Sequence, residues 1–157
     1  MVLALVGIGL NPPESITSRG LSLVKDASKV FLEVYTAPLP CPWEALEKAL
    51  GKKIEPATRT LVEKEAEQKM IIPARDNLVV LLVMGDPLAA TTHTDIIDRA
   101  RKEGVVVEVV GNDSVFTAVA QTGLQLYKFG KVTSIPFPQE GYEPESPYNM
   151  LKENNFI

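Results

Sequence analysis

A chain of 157 residues that is 45% hydrophobic and 23% charged has the composition of one ordinary globular domain, with or without the start of a second, and is too apolar for intrinsic disorder. Its net charge of −4 argues against a general nucleic-acid binder, which needs clustered Lys and Arg to meet phosphates. The single cysteine, Cys41, cannot close an internal disulfide, so a cytoplasmic setting is the simplest reading.

Met1 to Leu10 is apolar enough to suggest a signal peptide. No basic residue precedes the run, however, and Asn11-Pro12-Pro13-Glu14 follows without a small-residue cleavage pattern. The continuous stretch from Val2 to Ile8 reads instead as a first strand covered on both faces. No stretch approaches the roughly 20 apolar residues that a membrane span requires. Thr17 to Ser28 has helical spacing, with Leu21, Val24 and Ala27 or Ser28 on one side, and Lys29 to Tyr35 is the second strand. Pro38, Pro40 and Pro42 stiffen a loop. Pro42 is placed to open a helix carrying Trp43, Leu46 and Leu50, which Gly51 can close in a left-handed conformation.

Thr60 followed by Glu63 is a capping-box pattern, predicting a helix toward Met70 whose charge run from Glu63 to Glu67 is a solvated face. Leu78 to Met84 is the strongest strand, broken by Gly85-Asp86-Pro87. A helix from about Thr94 to Lys102 with Gly104 beyond it, a strand from Val105 to Val110, and a helix capped by Asn112, Asp113 or Ser114 and reaching Gly123 follow in order. Val132 to Ile135 is the predicted last strand. Strands alternating with helices predict an α/β fold with a mostly parallel sheet and helices on both faces. Composition then divides the chain: an α/β domain over 1–135, a Pro-rich linker over 136–147, and the start of a second domain over 148–157, interrupted one turn into an amphipathic helix.

Three segments carry chemistry. Gly7-Ile8-Gly9-Leu10 follows the first strand, but a dinucleotide fingerprint needs a third glycine where Pro12 stands. What survives is a close backbone turn at the carboxyl end of a strand, where open α/β sheets bind ligands. Gly85-Asp86-Pro87-Leu88-Ala89-Ala90-Thr91-Thr92-His93 follows the most apolar strand; the bland alternative is a connection in which Asp86 and Thr94 cap backbone N–H groups. His93 is the only histidine. It can serve as a general base or donate a structural hydrogen bond at a helix start, and without a cysteine partner it is a poor zinc site. Asn112-Asp113-Ser114-Val115 opens a helix whose N–H groups can hold a polar ligand group or simply be capped. The three loops leaving the sheet at Gly9, Gly85 and Asn112 are expected to converge.

Together these segments resemble the diphthine synthase family. Gly7-Ile8-Gly9-Leu10, Ile16-Thr17 and Gly20-Leu21 are similar to its opening pattern, and Glu33-Val34-Tyr35-Thr36 to its Glu-x-Tyr-Thr. Gly85-Asp86-Pro87-Leu88 with Ala90-Thr91-Thr92-His93 is the most specific match. Ser114-Val115 and the run from Thr122 to Gly130 continue it in order. The resemblance implies the two-domain fold shared with the tetrapyrrole methylases, a homodimer, and S-adenosylmethionine as methyl donor, leaving S-adenosylhomocysteine. It implies Leu10, Asp86, Ala89, Ser114 and Val115 as the first domain's cofactor contacts, no metal, and elongation factor 2 as protein substrate, methylated at a modified histidine. It assigns no catalytic base. The competing readings are a methylase of a corrin or porphyrin precursor, and a non-catalytic cofactor- or partner-binding module without the second domain.

Overall fold

The computed structural model of the chain describes residues 1–89, 93–128, 132–135 and 143–154. The chain falls into two compact units, Met1–Val115 and Phe116–Ile157.

The first unit is built on a five-stranded sheet, parallel at every pairing: β1 (Val2–Gly7), β2 (Lys29–Glu33), β3 (Glu55–Ala57), β4 (Leu78–Val83) and β5 (Val106–Val110), in the order β3-β2-β4-β1-β5. The two most apolar runs take the inner positions, β1 and β4 pairing from Val2 with Leu78 through Gly7 with Val83. Side chains alternate across a strand. Leu3, Leu5, Phe31, Val79, Leu81 and Val83 therefore enter one core layer, and Ala4, Val6, Val30, Leu32, Val80 and Leu82 the other. The second layer is covered by Leu23 and Val24 of α1 (Ser18–Asp26) and by Leu46 and Leu50 of α2 (Trp43–Leu50). The first is covered by Ile96, Ile97 and Ala100 of α4 (Thr94–Lys102) and by the helical stretch before β4. The α/β expectation, with helices on both faces, is met.

Local signals set most boundaries. The Thr17 hydroxyl accepts a hydrogen bond from Gly20 N and starts α1, while Gly51, at φ 66°, ends α2. Three departures have physical causes. The stretch before β4 is wound as π-type segments Leu61–Glu65 and Glu67–Ile71 followed by α3 (Ile72–Ala74). Its buried Val62, Ala66, Met70 and Ala74 recur every four residues, longer than the α-helical 3.6, and a wider turn keeps that row on the sheet. Thr60 does not cap this stretch, because it is already helical; Thr58 does, accepting from Leu61 N at 3.2 Å through its hydroxyl and from Val62 N at 3.0 Å through its carbonyl. The short strand β3 lies outside the elements expected from sequence, since Pro56 interrupts its pattern; at a sheet edge that proline is tolerated.

In the second unit, a 3-10 turn, Val119–Thr122, ends at Gly123 (φ 86°), as its glycine predicts, and a second covers Leu126–Lys128. Helix α5 covers Val115–Ala118. Val132 to Ile135, the expected last strand, forms none: all four residues are exposed, and a strand needs a ladder partner. The expected linker falls largely on 136–142, outside the described residues. Helix α6 covers Ser146–Asn154, starting where Ser146 and Pro147 signal a helix. No helix among the described residues is long and apolar enough to cross a membrane.

Candidate functional site

Because every strand runs the same way, all five carboxyl ends lie on one edge of the sheet. The order β4-β1-β5 sets three of them side by side, and the loops that leave them meet. Gly9 N donates to Gly85 O at 3.2 Å and Gly85 N to Gly9 O at 2.9 Å, so the first two loops form an antiparallel bridge. Both glycines have positive φ, 71° and 69°, which a side chain rarely permits. Gly7 is required for a different reason. A Cβ there would lie 2.5 Å from Gly85 O and 2.9 Å from the Asn112 Cβ, so the loops can approach only over a bare backbone.

The third loop is fastened through Asn112. Its Nδ2 donates to Gly7 O and to Ser15 O, each at 2.9 Å, and its backbone N donates to Asp86 Oδ2 at 2.9 Å. The other Asp86 oxygen accepts from Leu88 N at 2.8 Å. Ser15 holds the far side of the first loop, its hydroxyl donating to Ile8 O at 2.5 Å and accepting from Asn11 N at 3.2 Å. Asp86 thus ties the β4 loop to the β5 loop, and Asn112 ties the β5 loop to the β1 loop. The Gly7, Gly9 and Gly85 carbonyls each accept one of these internal bonds.

The five residues singled out from sequence fall around this junction. Leu10, Asp113 and Ser114 surround Gly85, from whose ideal Cβ position the Leu10 Cδ2 is 3.8 Å, Asp113 O 3.4 Å and Ser114 Cα 3.9 Å away. Asp86 is half-buried and Ser114 buried. Ala89 closes a turn, its N donating to Asp86 O at 3.2 Å. Leu10 and Val115 are exposed, 41% and 62%, and Leu88 of the same loops is 51% exposed. The sequence marks Asn112 as the start of the third loop and as a possible helix cap, while its tie to the first loop and the part of Ser15 appear only in the fold.

One strand further along the same edge, the Glu33-Val34-Tyr35-Thr36 segment leaves β2. The buried Glu33 carboxylate accepts from Tyr35 N at 2.5 Å, from Thr36 N at 2.7 Å, and from the Thr36 hydroxyl. The Arg59 guanidinium, following β3, lies 5.1 Å from the centroid of the Tyr35 ring. His93 is buried before α4, with the Pro87 backbone beside its ring. Burial holds its imidazole below the ordinary range, opposed in part by the Glu33 carboxylate and the Pro87 backbone. Residues 90–92 of the most specific motif lie outside the described residues. Among the described residues no group of three His, Cys, Asp or Glu is placed to hold a metal ion.

The family profile of the tetrapyrrole (corrin/porphyrin) methylases matches residues 2–157. The diphthine synthase of Methanocaldococcus jannaschii is 46% identical over 154 residues, which are 98% of this chain and 60% of that protein. The diphthine methyl ester synthase of Eremothecium gossypii is 46% identical over 157 residues, covering 99% of this chain and 52% of its own length. A crystal structure of diphthine synthase superposes with a TM-score of 0.90 at 35% identity, over 100% of this chain and 61% of that one. The chain thus spans about three fifths of the archaeal relative it matches. Its fold, its ordered motifs and the full-length profile match make it a member of the tetrapyrrole methylase family.

Proposed function

We propose that the chain forms the first-domain half of an S-adenosylmethionine site in a methyltransferase of diphthamide biosynthesis, acting on the modified histidine of elongation factor 2. The observation that carries this reading is the junction of the Gly9, Gly85 and Asn112 loops at the carboxyl ends of β1, β4 and β5. The names of the similar proteins support the choice of acceptor.

The residues present suit an adenosyl group. Leu10, Leu88 and Val115 would offer aliphatic surface to a flat base, Ala89 is small, and the Asp86 carboxylate would supply negative charge suited to a cationic group. Leu10, Asp86, Ala89, Ser114 and Val115 are the residues we assign to it. When bound, the cofactor supplies an electrophilic methyl group, so the protein's contribution is alignment of donor and acceptor. The loops contribute by being fixed before the ligand arrives. No residue is assigned as base, since a solvent-accessible amine can lose its proton to water.

We extend the reading to the rest of the relatives' length: a domain over 1–135, a linker over 136–147, a second domain from 148 that completes the cleft, and a cytoplasmic homodimer. The test uses protein expressed from the whole gene, partly modified elongation factor 2 and S-adenosylmethionine. Mass spectrometry is expected to find added methyl groups on the modified histidine. No added methyl refutes the reading. Methylation of a porphyrin precursor in its place moves the protein to the family's other branch.

A further inference from the structure

The Glu-x-Tyr-Thr segment has no part in the cofactor half-site, yet it sits beside it. β2 is the neighbour of β4, about 5 Å away, so Tyr35 and Thr36 leave the sheet one strand from Gly85 and Asp86, on the same edge. The segment is also joined electrostatically to the cofactor loop, because the Glu33 charge acts on His93 at that loop's end.

Glu33 spends its buried carboxylate on the local backbone, and this sets the turn that carries Tyr35. The Tyr35 ring packs on the core layer that holds Val62, and Arg59 lies over it at 5.1 Å. The guanidinium is therefore held against the ring while remaining exposed: its side chain is 61% accessible. Its ion pair with Glu63 is long, 3.8 Å, and Glu63 is itself 46% exposed. Such a pair is weak in water, and a carboxylate that approaches within hydrogen-bond distance displaces it.

We infer that Arg59, stacked on Tyr35, is the acceptor-side subsite of this enzyme and binds the carboxylate that accompanies the methylated amine. This rests on the methyltransferase reading above. A methyl acceptor of the diphthine type has such a group, since relatives named for forming its methyl ester must act on a carboxyl. Arg suits the role because its planar fork meets a carboxylate through two N–H groups while its face stays on the ring, which Lys cannot do. The cofactor loops and this cation share one edge of the sheet, Arg59 following β3, two strands from β4.

The test compares wild type, Arg59→Ala, Arg59→Lys and Tyr35→Leu, all expressed from the whole gene. It measures KM and kcat for partly modified elongation factor 2, calorimetric affinity for S-adenosylhomocysteine, and thermal midpoint. Arg59→Ala should raise the acceptor KM about ten- to a hundredfold, the scale of one charge-assisted hydrogen-bonded pair. Cofactor affinity and thermal midpoint should stay at the wild-type values. Arg59→Lys should fall between the two, and Tyr35→Leu should raise KM a few-fold. An unchanged acceptor KM in Arg59→Ala, with wild-type turnover, overturns the subsite and leaves the methyltransferase reading standing. Wild-type protein that transfers no methyl overturns both.

Discussion

Asn112 is the residue on which the arrangement of the three loops turns, and Asn112→Ala isolates its side chain. The change removes two part-buried hydrogen bonds, to Gly7 O and Ser15 O at 2.9 Å each, and one exposed bond from Asp113 N to Oδ1 at 2.8 Å. The backbone bond from Asn112 N to Asp86 survives, because no side-chain atom takes part in it on the Asn112 side. At about 1 kcal/mol for each part-buried bond the loss is about 2 kcal/mol, or about 4–8 °C in thermal midpoint for a chain of this size. If the loops must be fixed to accept the adenosyl group, the same loosening should weaken S-adenosylhomocysteine binding by about tenfold. Urea unfolding and calorimetry read the two effects separately. Asp86→Ala cuts the tether between the β4 and β5 loops from the other side, so the double variant should be non-additive, with a coupling on the order of 1 kcal/mol. An Asn112→Ala protein with the wild-type urea midpoint and the wild-type affinity would refute the clamp, and additive single effects would refute its cooperativity.

The glycines separate close approach from backbone conformation. Gly7→Ala places a Cβ 2.5 Å from a backbone oxygen and should destabilise by more than about 3 kcal/mol, whereas Gly51→Ala, at φ 66° with nothing within 4 Å, should cost about 1–2 kcal/mol; equal urea midpoints for the two would contradict the packing argument. Leu81 of β4 is fully buried in the core layer on one face of the sheet, and Leu81→Ala should cost about 2–5 kcal/mol in the same assay. His93 carries a pH dependence whose sign follows from its lowered pKa. The unfolded chain takes up the proton first as pH falls below the ordinary 6.5, so the stability it contributes is complete above that value and is lost as pH falls through the lower folded-state value. Urea midpoints measured from about pH 7.5 to about pH 5 should decline more steeply in wild type than in His93→Phe, and parallel profiles would remove His93 as the cause.

The parts of the fold legible in the sequence are those whose cause lies within a few residues. The unbroken apolar runs of β1 and β4 announce strands covered on both faces, and they occupy the middle of the sheet. Thr17 caps the helix that begins at the next residue, and Gly51 closes the helix just behind it. Where competing local signals stand two residues apart, as with Thr58 and Thr60, the wrong one is easily chosen, since only the packing of Val62 and Ala66 on the sheet fixes the phase of the helix. An edge strand of three residues containing a proline, or four apolar residues with no partner to pair with, cannot be told apart by pattern alone.

The candidate site divides along the same line. Gly9 and Gly85 are legible as turns because left-handed backbone is a property of one residue. The work of Asn112 is not, because its two acceptors lie 105 and 97 residues away in the chain. From sequence it competes with Asp113 and Ser114 for an ordinary capping role. The same holds for Arg59, which from its neighbours is one more charge at a helix start and acquires direction only from the Tyr35 ring delivered by a different strand. A chemical reading of this chain therefore has to ask which groups the sheet order brings to one edge. On that edge Asp86 and Arg59 carry charges of opposite sign, one assigned to each half of the proposed reaction. Exchanging the sign of either one should therefore damage the binding of its own ligand and spare the other's, a separation that calorimetry with S-adenosylhomocysteine and KM with the acceptor can test in Asp86→Lys and Arg59→Glu.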